Sequence, residues 1–532
     1  MVASAAICCS AIYAMRVGKV VAWDQKNYHY YNVYAWLTGR MGFDVAPAGM
    51  HSFLNPIAYI PQYFMIRHFS PISVGMTNGA VQALNFVLIY GASRIVFENS
   101  SRWLAIGIAL ICGVVGFLDP LLSAEIGTSY SDYVVSLPVL AALCALCWAI
   151  NPGCNEKQRG AAYGLSGILL GAAAGLKLTC LVYAIGMTLT LVVLWPMVGT
   201  KLRHAVIYAA GGIVGFLPTG GVWSWILWTR YKNPFLPYWN NLFRSPWMVA
   251  SDFRDRRFLP DTIADAISYP FQWFVGLHPT TEGNMRDARF ALLAVLMAMV
   301  LACLIWAVVA WLLRLGHNIR NPGAMASREA MWLVLVFATI SYVIWAGLYS
   351  FQRYLAPVAL LSGLLLILAL DFLISDKSNK IAAFVLLAIF CCCWMKPETS
   401  FERVPYGSDW FGVRLPKEAQ FPGTLFIMLG GGPMGYVVPS LPPSSRTVRL
   451  IDSTIPENGT ETQIVRTARR IIARHVGPIR SLSMDPLGQT EFDYLRRFGL
   501  EMDEKSCREF RSDVDRFTTC ALAKAACPNP AR

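Results

Sequence analysis

The chain has 532 residues, of which 55% are hydrophobic and only 14% charged. A soluble globular protein carries about 25% charged residues, so this balance excludes an ordinary water-soluble domain and points to membrane immersion. The net charge of +13 does not signal nucleic acid, because the lysines and arginines are spread over loops, where they read as topology signals and contacts to anionic lipid or phosphate.

In chain order, the first apolar run covers 2–22. It lacks a basic leader region, and Arg16 and Lys19 come after its apolar stretch, so it reads as an uncleaved first span. A start site upstream of Met1 would also account for those late charges. The string Trp23-Asp24-Gln25-Lys26-Asn27-Tyr28-His29-Tyr30-Tyr31-Asn32 follows directly. Lipid cannot solvate it, so it is expected at a membrane surface or lining a wet cavity. Residues 53–69 contain Pro56, Pro61, Arg67 and His68, which suit a helix lying along the interface better than a crossing. Counted as a span, this segment would invert every later loop or the N-terminus.

Further apolar runs lie near 73–93, 103–119, 131–150, 160–176, 178–197, 204–228, 289–314, 329–348, 354–373 and 380–396. A crossing needs about 20 apolar residues, so the expectation is a mainly α polytopic membrane bundle of about eleven transmembrane helices. Arg94/Arg102, Lys157/Arg159, Lys201/Arg203, Arg314/Arg320/Arg328 and Lys377/Lys380 then fall on one side, which is the cytoplasm by the bias of basic loops. The other side receives 23–72, 120–130, the turn near 177, 229–288, 349–353 and everything after 396. Most of the 14 cysteines sit inside apolar runs as small apolar side chains, and no C-x-x-C pair has polar flanks, so no structural zinc site is expected.

From Lys396 the composition changes. Thr424–Leu429 and Ile479–Met484 read as strands, and Ile464–Val476 as a helix with Arg466, Arg469, Arg470 and Arg474 off its apolar face. The expected domains are therefore a membrane domain over 1–396, with external loops 23–72 and 229–288, and a small exported α/β domain over 397–532. Gly430-Gly431-Gly432-Pro433 lacks the G-x-G-x-x-G pattern and reads as a tight turn. Cys507 and Cys520 suit a disulfide in an exported domain, with Cys527 as a competitor.

All the unusual polar clusters fall on the exported side. Asp24, His29, Asp44 and His51 lie in the first loop, while Asp119, Glu125 and Asp132 flank the second. Lys177 sits between Leu176 and Leu178 in a short turn, where it either snorkels or meets an anion. Arg244, the Arg254–Arg257 cluster and Arg353 occupy the later loops. His29 and His51 with Asp24 are residue types that bind metals, but no ligand spacing calls for one. Carboxylates and cations at one interface suit glycosyl transfer from a lipid phosphate. That reaction needs a base for the acceptor hydroxyl and cations for the departing phosphate. An aspartate of ordinary pKa near 3.9 is ionised at neutral pH, and lysine or arginine can hold phosphate oxygens without a metal.

The chain resembles the GT-C superfamily of polytopic glycosyltransferases, and within it a bacterial subgroup of GT-C-like membrane proteins. The resemblance rests on Trp23-Asp24 after the first span with the 53–69 segment beyond it, on Ser131-Asp132-Tyr133 opening a later span, and on Gly167–Thr179, a glycine-rich helix pair meeting at Lys177. Asp24–Asn32, Pro47–Pro56 and Asn233–Pro260 add to it. It departs from the family pattern in a single rather than doubled first acid and in Leu-Thr after the lysine. It implies a polyprenyl-phosphate-linked sugar donor, a glycan, lipid or protein acceptor, and a place in the bacterial inner membrane with chemistry on the periplasmic face. It also implies Asp24 and Asp132 as catalytic residues, Lys177 and Arg353 as phosphate contacts, and His29, His51, Asp44, Arg244 and Arg257 around the substrates. No cofactor is required on this reading, although a divalent metal is left open. The reading places Asp24 and Lys177 in a common pocket. A transporter or flippase of lipid-linked sugars and a non-catalytic scaffold for envelope-polysaccharide assembly are the rival functions.

Overall fold

A computed structural model describes residues 1–313, 323–457, 459–484 and 486–525. Arg314, Arg320 and Cys527 lie outside the described residues. Chain contacts divide the protein into two compact units: Met1–Arg16, Met76–Gly220 and Asp255–Phe401 form the first, and Val17–Gly75, Gly221–Arg254 and Glu402–Arg532 the second. The chain from Glu402 onward falls in the second unit, together with Val17–Gly75 and Gly221–Arg254.

The first unit is helical. Each of the eleven apolar runs contains a helix, because a chain in hydrocarbon must satisfy its backbone polar groups internally. Among the described residues, six helices are long and apolar enough to cross a membrane, or seven if the bent pair Gln352–Leu360 and Ser362–Leu373 is one span. Val2–Val17, Arg102–Phe117 and Leu178–Val193 are shorter apolar helices. Glu156–Leu176 has the length, but its glycines and polar first turn dilute its hydropathy. The protein is a multi-pass membrane protein. Large apolar side chains such as Ile213, Met299 and Trp311 point outward, as a lipid-facing surface requires.

Side-chain caps set several helix starts: Asn155 and Gln158 form a capping box, Ser327 caps Arg328–Leu348, and Asp376 caps Lys377–Trp394. Glycine sets one close packing. A Cβ at Gly167 would strike the carbonyl of Tyr208, and one at Gly171 that of Gly212, so Glu156–Leu176 and Leu202–Phe216 approach backbone to backbone. The glycines of the segment that ends at Lys177 thus seat the helix Leu202–Phe216. Lys380, counted as a loop charge, is fully buried and paired with Asp371 at 2.7 Å.

The second unit holds a five-stranded mixed sheet. Its strands are β1 (Leu425–Leu429), β2 (Arg446–Arg449), β3 (Ile479–Ser483), β4 (Leu500–Arg511) and β5 (Arg516–Lys524), in the spatial order β2-β1-β3-β5-β4. β1 runs parallel to β2 and β3, whereas β5 is antiparallel to both β3 and β4. Strands β1 and β3 match the expected ones within a residue or two, and the expected helix is Gln463–Arg474. The turn after β1 holds an arginine: Arg449 donates to the carbonyls of Gly430 at 2.9 Å and Gly432 at 2.8 Å. Cys507 and Cys520 form a disulfide across β4 and β5. The 53–69 segment forms only a nine-residue α-helix, Ile60–His68, too short to cross about 30 Å of hydrocarbon. Lys19 is buried and donates to the carbonyls of Asp409 at 3.2 Å and Trp410 at 2.5 Å, which explains a charge so soon after the first apolar run.

Candidate functional site

In the first unit, residues 119–133 form a strap between two apolar helices. Asp119 caps the short helix Pro120–Glu125, accepting from the amides of Leu121 at 3.0 Å and Leu122 at 2.9 Å. Beyond it, amide side chains of the 71–96 segment pin the chain. Gln82 donates to the carbonyl of Glu125 at 3.2 Å and accepts from the Gly127 amide at 2.8 Å, while Asn85 donates to the carbonyl of Tyr133 at 2.7 Å. These buried amides satisfy backbone groups that hydrocarbon would leave unpaired.

The strap delivers Asp132 to the first turn of Asp132–Ala149. Ser131 takes the cap position, so the Asp132 carboxylate points elsewhere: its Oδ1 accepts from Lys177 Nζ at 2.6 Å. Lys177 lies in extended backbone between Leu176 and the turn Leu178–Cys180, which aims its ammonium inward, over the Tyr354 ring at 5.0 Å. Arg353, in the turn Gln352–Leu355, lies with Nε 4.0 Å from Asp132 Oδ2 and its guanidinium over the rings of Tyr130 at 4.3 Å and Phe351 at 4.8 Å. The first distance allows attraction but is too long for a hydrogen bond. Three residues chosen from three separate loops thus meet. Their chemistry is a carboxylate held between two cations on an aromatic floor, an arrangement suited to an anion with a hydroxyl beside it.

Glu125 belongs to the same neighbourhood. It is fully buried, and neither carboxyl oxygen makes a hydrogen bond among the described residues. Burial pushes its carboxyl well above the usual range and Asp132 adds to this, while Arg353 and Lys177 pull the other way. An apolar cavity of about 160 Å³ lies elsewhere in this unit, lined by Phe290, Leu293, Met297, Leu335, Tyr342 and Leu365.

A second buried ionic cluster escaped the sequence reading. Arg289 is fully buried and donates to Asp287 at 2.9 and 2.6 Å and to Asp119, which also accepts from the Tyr133 hydroxyl. The available signal was Asp287 and Arg289 flush against an apolar run that would otherwise begin without charge. Arg257 is exposed and pairs with Asp255 at 2.7 Å and Glu282 at 3.1 Å.

In the second unit, Asp24 is half-buried at the start of the turn Gln25–His29. Around it is an aromatic group: His29 stacks on Tyr59 at 3.8 Å, His51 stacks on Tyr28 at 5.2 Å, and Trp23 meets His51 edge-on at 5.0 Å. Burial lowers the His51 pKa, and Asp24 and Asp452 oppose the shift without cancelling it, so the ring is neutral at pH 7. Asp44 is tied into the fold: it accepts from Arg40 at 2.7 and 2.9 Å, from the Tyr31 hydroxyl at 3.1 Å and from the Thr447 amide at 2.9 Å. Arg244 is exposed at a helix end in left-handed backbone. The structure therefore gathers Asp24, His29 and His51 in one cluster of this unit and leaves Asp44 and Arg244 out of it. Among the described residues no group of three or more His, Cys, Asp or Glu is placed to hold a metal ion.

No protein-family model and no curated protein matches the sequence. Among solved structures, the chain is similar to ArnT from Cupriavidus metallidurans bound to undecaprenyl phosphate, with 12% identity over 98% of this chain and 97% of that one and a TM-score of 0.49. The apo form of that protein gives 13% identity with the same coverage and TM-score. The apo oligosaccharyltransferase of Archaeoglobus fulgidus gives 12% identity over 90% of this chain and 69% of that one, with a TM-score of 0.39.

Proposed function

We propose that the protein is a membrane glycosyltransferase that moves a sugar from a polyprenyl-phosphate donor to an envelope glycan, lipid or protein acceptor at the periplasmic face of a bacterial inner membrane. The observation that carries this reading is the meeting of Lys177, Asp132 and Arg353 near a buried carboxyl in the apolar helical unit. The Gly167–Thr179 and Ser131–Tyr133 resemblance to GT-C enzymes supports it.

In this reaction the bond from the sugar's anomeric carbon to the phosphate oxygen breaks, and its electron pair stays on the phosphate. Lys177 and Arg353 meet that charge, Lys177 exchanging its hold on Asp132 for a phosphoryl oxygen. The acceptor oxygen bonds to the anomeric carbon and its proton passes to a carboxylate. Asp24 and Asp132 are the two candidates for that base. Asp132 Oδ2 is buried without a hydrogen bond among the described residues and has the capacity to take a proton.

Purified protein in detergent, given a prenyl-phosphate-linked sugar and an envelope extract as acceptor, should release prenyl phosphate, with and without chelator compared. Asp24→Asn and Asp132→Asn separate the roles. Loss of the base abolishes transfer and leaves donor binding intact, whereas loss of the carboxylate that orients Lys177 weakens binding itself. Sugar movement across vesicles without release would identify a transporter. A protein inert in both assays, whose cellular role survives loss of Asp24 and Lys177 but fails when 397–532 is removed, would identify a scaffold.

A further inference from the structure

Building on the phosphate reading of this site, we infer that Glu125 is a neutral carboxylic acid at working pH and donates a hydrogen bond to a phosphoryl oxygen of the ligand held by Lys177 and Arg353. The first support is placement. Glu125 ends the short helix after Asp119, its backbone is locked by Gln82, and it lies within electrostatic reach of Asp132, Lys177, Arg353 and Asp119. The second is hydrogen bonding: both oxygens are fully buried and unbonded among the described residues, although buried polar atoms in folded proteins are nearly always satisfied. Both oxygens thus keep hydrogen-bonding capacity for a further partner.

The third support is charge. Asp119 is taken up by Arg289, so the charges that remain around Glu125 are Asp132 at −1 and Lys177 and Arg353 at +1 each. With Glu125 ionised the group sums to zero and has no net attraction for an anion. With Glu125 neutral it sums to +1, which matches the single negative charge of a phosphodiester. Burial in surroundings that give its oxygens no donor favours the neutral form, in agreement with the charge count. A neutral carboxyl is also the only form of this side chain that can donate to a phosphoryl oxygen. Its donor would stay on the phosphate through the reaction without giving up the proton, so no atom or charge is left unaccounted for.

The test uses the full-length protein in detergent and a short prenyl methyl phosphodiester, whose charge is constant across the pH range. Binding to wild type should be flat at low pH and fall as pH rises and Glu125 ionises. In Glu125→Gln the amide N–H still donates, and that alkaline fall should vanish. Glu125→Ala should bind about tenfold or more weakly at neutral pH, as expected for loss of a hydrogen bond to a charged group. Infrared difference spectroscopy covers the case in which the alanine variant folds poorly. The stretch of a protonated carboxyl should be present in wild type, absent in Glu125→Gln, and displaced when the phosphodiester binds. A band that is missing, or that ignores the ligand, overturns the inference, as does an unchanged alkaline fall in Glu125→Gln. Failure of wild type to bind the phosphodiester at any pH overturns the phosphate reading itself and the inference with it.

Discussion

Two ionic clusters share the 119–133 strap and differ in one respect. Around Arg289 every donor is used: Nε and both terminal nitrogens reach Asp287, Asp119, Ser362 and the carbonyls of Val115 and Ala359. Around Asp132 the network stops short, with Glu125 and one oxygen of Asp132 left without hydrogen bonds among the described residues. Both clusters are buried and both mix acids with bases, so burial and charge alone do not distinguish them. Completeness does. A saturated network has nothing to offer a ligand and holds the fold, whereas an unsaturated one retains the capacity to bind.

The largest effect should come from opening the closed cluster. Arg289→Met leaves Asp287 and Asp119 as buried, unpaired carboxylates and should cost about 3–5 kcal/mol, seen as a large fall in melting temperature. A variant that melts with wild type would end the distinction. Next, Lys177→Met should weaken prenyl phosphate binding about 10–100-fold, the value of a hydrogen bond to a charged group. Its melting temperature should fall by less than that of Arg289→Met, because Arg353 remains near Asp132.

Glu125 sharpens the contrast through pH. Its folded pKa is raised above the ordinary value of 4.5, so its contribution to stability is fully present below 4.5 and is lost as pH climbs toward the folded value. Within that window wild type should lose up to about 1.4 kcal/mol per pH unit relative to Glu125→Gln. Parallel melting curves across pH 5–8 would show that the carboxyl is ionised in the folded protein. The smallest effect belongs to Arg257, an exposed side chain paired with Asp255 and Glu282. Arg257→Ala should change stability by no more than about 0.5 kcal/mol, read as a melting temperature close to that of wild type.

Much of this was legible in the sequence, unevenly. The apolar runs announced their helices because about 20 apolar residues have few other uses. β1 and β3 were visible as buried apolar strands, but β4 was not, since its Glu501–Arg511 stretch is mostly charged and reads as loop. Asp132, Lys177 and Arg353 each stood out as a polar residue against apolar sequence. Glu125 was noticed without a role, and Arg289 was missed because one charge at the edge of a hydrophobic run passes for a helix end. Asp24 groups with His29 and His51 in the second unit, and Lys177 with Asp132 and Arg353 in the first.

The sequence by itself determined membrane immersion, the helical runs and the short list of polar residues from which a site had to be built. Hydropathy and charge are local properties, so reading along the chain suffices for them. Only the tertiary structure decided which of those residues meet and which remain unsatisfied. Lys177 finds Asp132 across 45 positions and Arg289 finds Asp119 across 170. Whether a buried charge is spent on the fold or kept for a ligand depends on partners that far away.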